Sequence, residues 1–297
     1  MILIYTITLD NSTSEVIDWL NLWDFSVKRI NGDVGYKLKV DETIFIEGVS
    51  IDDFKSYWYR KGMFSGLTVP RLNNFLVQSF LEENRIKILQ YVEAKLCKKK
   101  YLNRYFNSNL NKLLVLEQAK KAGLKVPDFV LTDNLKDVHK QFIYKSVNEG
   151  SYIEVEDYGF SAYTEMYYYY KEKIYGITFF QEFIEKKYEL RIFYLDGRFF
   201  SMAIFSQKDA QTRVDFRHYN NDRPNRNIPF KLPDFIEGKL DLLMKKLDLK
   251  SGSIDMIVSK DMKYYFLEVN PVGQFGMVSY PCNYHLEKEI AEYLSYD

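Results

Sequence analysis

The chain has 297 residues, in which 41 Lys and Arg balance 41 Asp and Glu. That length is enough for a large core and two or three subdomains. The balanced charge gives no strong field for nucleic acid or for an anionic membrane, so we expect neither partner. No apolar run is long enough to span a membrane, and the start MILIYTITLD is predicted as a strand rather than a signal peptide. We therefore expect a cytoplasmic protein.

Cysteine and aromatic content add two observations. Cys97 and Cys282 lie far apart in the sequence, which fits a reducing compartment and predicts neither a disulfide framework nor a zinc site. Aromatic residues make up 17% of the chain, and 25 residues are tyrosines. Two explanations stay open: a surface that docks a peptide, or a codon bias that also enriches Asn, Lys and Ile.

The predicted strands and helices mix without strict alternation, which favours an α+β (mixed α/β) fold. Short strands and turns are expected over residues 1–65. The further predictions, in chain order, are helices over 70–100 and 109–122, strands over 126–131 and 141–147, a hairpin over 188–206, and helices over 234–247 and 282–294. Ser108 is the predicted N-cap of the second helix, and Gly123 follows its end. The hairpin turns at Asp196-Gly197, a favoured two-residue turn.

The segment 252–276 gives the strongest functional signal. Its two apolar runs, 254–258 and 264–269, are predicted strands, and each contains an acid. A symmetric pairing about a turn at 260–263 places Asp255 opposite Glu268, with Asn270 on the same face. Facing carboxylates repel each other, whereas Asp, Glu and Asn oxygens suit Mg²⁺, which leaves its other positions to water and substrate phosphates. The alternative is a polar edge hairpin whose acids face solvent.

Glycine-rich phosphate loops are absent, because the sequence has neither G-x-x-x-x-G-K-[ST] nor G-x-G-x-x-G. Lysines and arginines would have to hold a nucleotide instead. Lys145 lies on an apolar strand face, where a lysine either extends its amine to water or pairs with an anion. Lys112, near a helix start, is a weaker candidate, because most such lysines are solvated.

The segment 181–193, QEFIEKKYELRIF, is more specific. The end of a strand at 181–184 offers backbone groups that can bind an adenine edge. Glu189 and Arg191 share one face of the next strand, where an acid can bind a ribose hydroxyl and an arginine can neutralise phosphate. A cross-strand salt bridge is the alternative explanation.

A polar loop over 207–232 contains Arg213, Asp215, Arg217, Arg223 and Arg226. Arginine clusters bind phosphate or carboxylate through paired hydrogen bonds, although an isolated cluster of this kind is more often a solvated surface. The same loop contains His218, a candidate base.

Together these motifs resemble the ATP-grasp superfamily from about residue 100 to the C-terminus. The resemblance is carried in order by Lys112, Lys145, QEFIEK, ELR, Asp255 and the E-x-N of Glu268–Asn270. The segments YWYRKG (57–62), TRVDFR (212–217), GSIDMIV and FLEVNPVGQFG resemble its peptide-modifying branch, the graspetide (ω-ester-containing peptide) maturases. The tail NPVGQFGMVSYPCNYHLEKEIA is most similar to the grasp-with-spasm type.

The resemblance implies an N-terminal pre-ATP-grasp domain (1–105), a central lid domain (106–178) and a C-terminal catalytic domain (179–297), with ATP between the last two. Implied nucleotide-binding residues are Lys112, Lys145, Gln181, Glu182, Phe183, Ile184 and Glu189. Implied Mg²⁺ ligands are Asp255, Glu268 and Asn270. Implied catalytic residues are Arg191 and Arg213, which would face phosphate groups, and Asp215 and Arg217, which would engage the acceptor peptide.

The implied function is an ATP- and Mg²⁺-dependent peptide maturase. It would convert Asp or Glu side chains of a ribosomal precursor peptide to acyl phosphates and join them to Ser, Thr or Lys as macrocyclic esters or amides. A homodimer and a SPASM-domain partner are further implications, and a leader-peptide site is expected near segment 163–175 and the helix over 70–100. Two alternatives remain: an ATP-grasp ligase that adds an amino acid to a peptide or small molecule, and a non-catalytic ATP-binding protein.

Overall fold

The computed structural model describes residues 1–64, 72–134, 138, 141–145, 147, 152–155, 158–161, 165–166, 176–207 and 224–296. Contacts divide the chain into two compact units. The first comprises Met1–Asn109, Leu249–Gly252 and Asn270–Asp297, and the second comprises Leu110–Asp248 and Ser253–Val269. Both mix helices and strands, which confirms the expected fold class. The division into three domains at residues 105 and 178 stays a prediction.

A parallel sheet lies at the centre of the first unit. Its strands, in spatial order, are β2 (Val27–Asn31), β1 (Ile2–Thr6), β6 (Ser56–Tyr59) and β7 (Lys100–Leu102). β1 and β6 are buried along their whole length. Continuous apolar runs such as ILIYT are typical of parallel strands covered on both faces, so the sequence of β1 matches its central place in the sheet.

Helices and a small antiparallel sheet surround this centre. The helices are α1 (Asn11–Leu22), α2 (Phe75–Leu96), α5 (Gly276–Cys282) and α6 (Leu286–Ser295), with 3₁₀ turns at Ile51–Asp53 and Tyr105–Asn107, and the small sheet has the order β3 (Leu38–Val40), β4 (Ile44–Ile46), β5 (Val49–Ser50). The core between them includes Leu3, Tyr57, Val92 and Leu96, which are almost completely buried. Burial of such side chains is the main stabilising term of the unit.

Two predictions for this unit are wrong. Residues 11–22 form helix α1 rather than strands and turns; the sequence begins with Asn, Ser and Thr, which favour helices weakly, and packing of α1 against α6 compensates for that weakness. The single helix expected over 282–294 is interrupted, because Asn283 and His285 have left-handed backbones with φ of 53° and 51°. Left-handed residues end a right-handed helix, so α5 and α6 are separate.

The second unit contains an antiparallel sheet with the order β12 (Glu165–Met166), β9 (Phe142–Lys145), β13 (Thr178–Glu182), β8 (Phe129–Thr132). A two-stranded sheet pairs β10 (Tyr152–Val155) with β11 (Tyr158–Ser161), and helix α3 spans Lys112–Lys121. Phe142 of β9 and Phe180 of β13 pack with Val138 as a small core on the four-stranded sheet.

A larger sheet of the second unit has the order β16 (Arg226–Phe230), β15 (Arg198–Phe205), β14 (Lys186–Leu195), β17 (Ser251–Ser259), β18 (Tyr264–Asn270). The predicted hairpin is confirmed: β14 and β15 pair antiparallel around Asp196 and Gly197, whose φ angles of 42° and 91° suit a type I′ turn. Helix α4 (Asp234–Lys246) lies next to this hairpin. The hydroxyl of Tyr194 in β14 donates a hydrogen bond to Asp241 Oδ1 of α4 over 2.9 Å. No described helix is long and apolar enough to cross a membrane.

Candidate functional site

The acid of strand β17 is paired with an arginine of the neighbouring strand β14. Asp255 Oδ2 accepts a hydrogen bond from Arg191 Nη1, and the two side chains are only 16% and 12% exposed. A charged hydrogen bond in such partly buried surroundings is stronger than the same pair in water. The adjacency of β14 and β17 therefore brings together two of the residues predicted for the site.

The acid of strand β18 is paired with a lysine of helix α3. Lys112 Nζ lies 2.6 Å from Glu268 Oε2, and the lysine side chain is 7% exposed. Lys112 is the first helical residue, because Asn111 caps the helix by accepting hydrogen bonds from the amides of Leu113 and Leu114. The predicted cap, Ser108, is wrong. The cap places Lys112 in the first turn, with its amine on the carboxylate.

The turn between β17 and β18 lies where the sequence predicts it but differs in register. The amide of Ser259 donates to the Lys263 carbonyl and that of Met262 donates to the Ser259 carbonyl, while Met262 has a φ of 62°. This bulged turn replaces the symmetric pairing assumed from the sequence. Asn270, the last residue of β18, belongs to the first unit, and its Oδ1 accepts from the amide of Val272 over 3.1 Å.

Strand β14 also contains a buried ionic group centred on Glu189. Its Oε1 accepts from Lys186 Nζ over 2.6 Å and from Ser206 Oγ over 3.0 Å. Burial raises the pKa of Glu189, Lys186 and Ser206 oppose that rise, and the charge of Asp255 adds to it. The expected Glu189–Arg191 face therefore carries two different pairs, because Glu189 binds Lys186 and Arg191 binds Asp255.

Lys186 and Ser206 were not among the predicted site residues. In a regular strand, residues three positions apart point to opposite faces, so alternation gives no reason to pair Lys186 with Glu189. Lys186 is nonetheless 3% exposed, whereas its neighbour Lys187 is exposed. Buried lysines are rare unless they are paired, but only the tertiary structure reveals that burial.

Two further residues that are predicted to bind the nucleotide belong to the sheet that contains β9 and β13. Lys145 ends β9, and its Nζ lies 5.9 Å from the ring centroid of Phe179 on the paired strand. Gln181 in β13 is completely buried, and its side-chain Oε1 and Nε2 have no hydrogen-bond partner within the described ranges. An unpaired buried amide is costly, and Gln181 stays a predicted nucleotide-binding residue.

The expected adenine-binding backbone is partly occupied by other hydrogen bonds. The amide of Glu182 donates to the Asp128 carbonyl over 2.7 Å, and that of Phe183 donates to the Gln141 carbonyl over 2.9 Å. Adenine contact through these two amides would require both bonds to open. Ile184 follows directly and is half-buried.

Only residues 208–223 of the predicted polar loop lie outside the described residues; its residue Arg226 begins strand β16 rather than lying in a loop. Arg213, Asp215, Arg217, His218 and Arg223 lie in 208–223, beyond the described residues, and their roles stay predictions. Most of the tyrosine-rich segment 163–175 also lies outside them.

Helix α2, the other part of the expected leader-peptide surface, leaves large apolar side chains in solvent. Phe75, Leu76 and Phe80 are each more than half exposed. A groove of about 450 Å³ lies beside the helix and is lined by Leu38, Val40, Lys87, Ile88 and Tyr91. Exposed apolar patches of this kind often contact peptides or proteins, so this surface stays a predicted peptide site.

The donor set fits a hard divalent cation. In the described part of the chain, no three His, Cys, Asp or Glu side chains converge as a complete metal cage. Mg²⁺ needs no such cage, because one or two carboxylates and substrate phosphates suffice. Asp255 and Glu268 supply carboxylates whose charges Arg191 and Lys112 balance.

Comparison with solved structures gives likenesses over nearly the whole chain. The macrocyclase MdnC of Microcystis aeruginosa MRC, solved with its precursor peptide MdnA, is 26% identical with a TM-score of 0.79, and 99% of each chain is covered. A RiPP-associated ATP-grasp ligase of Chryseobacterium gregarium, solved with ADP and a leader and core peptide, is 25% identical with a TM-score of 0.82, covering 99% of this chain and 94% of that one.

The ATP-grasp ligase PsnB, solved with a minimal precursor, Mg and ADP, is 16% identical with a TM-score of 0.78, covering 99% of this chain and 96% of that one. At that identity the likeness concerns the fold alone. No protein-family model and no curated protein matches the chain.

Proposed function

We propose that this chain is a graspetide maturase, one of the ATP-grasp ligases that modify ribosomally synthesised peptides; its similarity to two such solved ligases supports the proposal. It activates Asp or Glu side chains of a precursor peptide with ATP and joins them to Ser, Thr or Lys of the same peptide. The macrocyclase MdnC and the Chryseobacterium ligase, both solved with peptide, support a peptide substrate.

One observation carries the proposal: both carboxylates of the second unit that are predicted to bind metal are paired with cations predicted to bind the nucleotide or its phosphates. Lys112 is 2.6 Å from Glu268, and Arg191 is hydrogen-bonded to Asp255. Buried or half-buried acids need a counter-charge, and these cations provide it. Bound Mg²⁺–ATP would supply that counter-charge, and Lys112 and Arg191 would then be available to bind the nucleotide.

The ligand assignments follow from the same residues. Asp255, Glu268 and Asn270 are proposed to hold Mg²⁺, which would neutralise negative charge on the phosphates. Lys145 and Arg191 add positive charge at the phosphates, and Arg213 is proposed for the same role. Gln181, Glu182, Phe183, Ile184 and Glu189 are proposed to contact the nucleoside.

The reaction then requires only positioned groups. A carboxylate oxygen of the peptide bonds to the γ-phosphorus while that phosphorus loses its bond to ADP, which yields an acyl phosphate. A hydroxyl or amine of the same peptide bonds to the acyl carbon, phosphate leaves, and the attacking group loses a proton. Asp215 and Arg217 are proposed to engage the acceptor. The protein contributes orientation and electrostatic stabilisation rather than a covalent nucleophile.

The assembly is a further part of the proposal. The tail motif supports the grasp-with-spasm type with a SPASM-domain protein as partner. The homodimer is proposed from the family resemblance, and the cytoplasmic location from the cysteine content. Light scattering on the purified chain, alone and with the partner encoded nearby, tests the assembly.

The decisive experiment incubates the chain with ATP, Mg²⁺ and the small peptide encoded beside its gene, and then determines the mass of the product and the ADP released. We expect one water mass to be lost for each ADP formed. Hydroxylamine then distinguishes esters, which it cleaves, from amides. A product enlarged by a second molecule would identify a ligase of the amino-acid-adding kind, and absence of ADP would identify a non-catalytic ATP-binding protein. Either outcome overturns the maturase proposal.

A further inference from the structure

The YWYRKG segment contains a buried arginine to which the proposed reaction assigns no role. Arg60 follows strand β6 in the first unit and is 4% exposed. Burial lowers the pKa of its guanidinium, and the charge of Asp10 opposes that change. Placing an arginine in such surroundings is costly unless its donors are used, so its partners indicate what it is for.

One side of Arg60 is anchored within the N-terminal segment. Its Nε lies 3.6 Å from Asp10 Oδ2. Asp10 is itself fixed by the hydroxyls of Thr6, Ser12 and Thr13, which donate to its carboxylate over 2.6–2.7 Å. The guanidinium therefore has a preset position, since the anion that holds it is held by three hydrogen bonds.

The other side of Arg60 contacts the loop that follows strand β18. Arg60 Nη1 donates to the carbonyl oxygen of Val272, and its Cζ lies 5.3 Å from the ring centroid of Phe275. Val272 in turn donates its amide to Asn270 Oδ1 over 3.1 Å. Val272 thus accepts a hydrogen bond from Arg60 at its carbonyl and donates one from its amide to the side chain of Asn270.

A second side chain of the first unit holds the same loop. Asn103 Nδ2 donates to the carbonyl of Pro271 over 2.8 Å and to Ser251 Oγ over 2.8 Å. Asn103 is buried and has a φ of 61°, a left-handed backbone that asparagine tolerates better than most residues. The two carbonyls that follow Asn270, those of Pro271 and Val272, are therefore each bound by a buried side chain from the N-terminal part of the chain.

We propose that Arg60 is a positioning residue for Asn270: by fixing Val272 it sets the orientation in which the Asn270 side chain meets Mg²⁺. The inference rests on the proposed function, in which Asn270 is a metal ligand. Residues that orient a ligand from outside the coordination sphere change metal affinity or activity by about 10–100-fold when they are replaced. The YWYRKG segment thereby acquires a role in the metal site rather than in the fold alone.

The test measures binding of ADP by calorimetry, once with Mg²⁺ and once with EDTA, together with the melting temperature. Arg60→Lys keeps a positive charge for Asp10 but loses the planar group that also reaches Val272. Asn103→Gly keeps the left-handed backbone and removes the hydrogen bonds to Pro271 of the loop and to Ser251, and it serves if Arg60→Lys does not fold. Tyr57→Phe is the control, because Tyr57 is a buried residue of strand β6, which ends directly before Arg60, and its hydroxyl contacts Glu93 and not the loop.

We expect Arg60→Lys and Asn103→Gly each to weaken binding of ADP with Mg²⁺ by about 10-fold while binding with EDTA stays at the wild-type value. Tyr57→Phe should lower the melting temperature and leave both affinities unchanged. Equal loss with and without Mg²⁺, or wild-type Mg²⁺ dependence in folded variants, would show that Arg60 only stabilises the unit. Failure of the wild-type chain to bind ADP with Mg²⁺ would instead overturn the proposed function.

Discussion

The amine of Lys112 lies 2.6 Å from the carboxylate of Glu268, so the first turn of helix α3 is linked to strand β18. Because this pair is partly buried, it is sensitive to removal of either charge. The same lysine is proposed to move to phosphate when nucleotide binds.

Replacing Lys112 with Met should weaken binding of ADP with Mg²⁺ at least about tenfold, or about 1.4 kcal/mol. The reason is that the phosphates lose a cation that the helix cap already positions. Calorimetry measures the change. Lys121→Met is the matched control on the same helix, since Lys121 pairs with Glu117 where both side chains are 56% exposed and such pairs contribute little. An equal loss in both variants would contradict the assignment of Lys112.

Glu268→Gln and Asp255→Asn should each reduce ADP release by at least about 100-fold, because each removes a negative oxygen ligand from the proposed Mg²⁺ site. The fold should be largely kept, since both replacements are isosteric. Peptide-dependent ADP release and circular dichroism provide the two measurements. Glu117→Gln, an exposed acid of helix α3, should retain wild-type turnover. Normal ATP consumption by the two site variants would rule out the metal assignment.

Lys186→Met should lower the free energy of unfolding by about 3–5 kcal/mol, because it leaves the buried carboxylate of Glu189 without its cation. The pair is 3% and 9% exposed. Lys260→Met is the control, because Lys260 pairs with Glu185 where the side chains are 68% and 58% exposed, and it should cost less than about 1 kcal/mol. Urea unfolding measures the free energy of unfolding of both variants. A similar loss in the two would show that the buried pair is no more important for stability than the exposed pair.

Asp10 should make the free energy of unfolding depend on pH in the acidic range. Burial alone would raise its pKa, but hydrogen bonds from Ser12 and Thr13 and the charge of Arg60 hold it below the ordinary value of 3.8. A carboxyl with a lowered folded pKa stabilises the fold above the unfolded pKa, and that contribution is lost as the pH falls through the folded pKa. The contribution of Asp10 to stability should therefore be lost as the pH falls below 3.8.

The corresponding experiment compares wild type with Asp10→Asn by urea unfolding from about pH 6 to about pH 3. Between these limits the wild type should lose more stability than the variant, because only the wild type takes up a proton at residue 10 when it unfolds in acid. Parallel losses in the two proteins would mean that Asp10 has no lowered pKa.

Local sequence patterns were enough for the elements whose structure depends on nearby residues. The Asp196-Gly197 turn specifies the β14–β15 hairpin, because both positions need a positive φ that these residues adopt readily. Gly123 likewise follows α3 with a φ of 81°, as predicted. Where propensity was weak or misleading, as in α1 and in the cap of α3, the sequence-based prediction failed.

The sequence by itself determined the α+β class, the hairpins and the residue types suited to Mg²⁺ and phosphate, because strand alternation, turn chemistry and ligand chemistry act over a few residues. Only the tertiary structure decided which charges meet: Lys112 with Glu268, Arg191 with Asp255, Lys186 with Glu189, and Arg60 with the loop after Asn270. Such pairs depend on burial and on contacts, mostly between residues remote in sequence. Burial changes the energy of a charge by several kcal/mol, a difference that residue spacing alone does not encode.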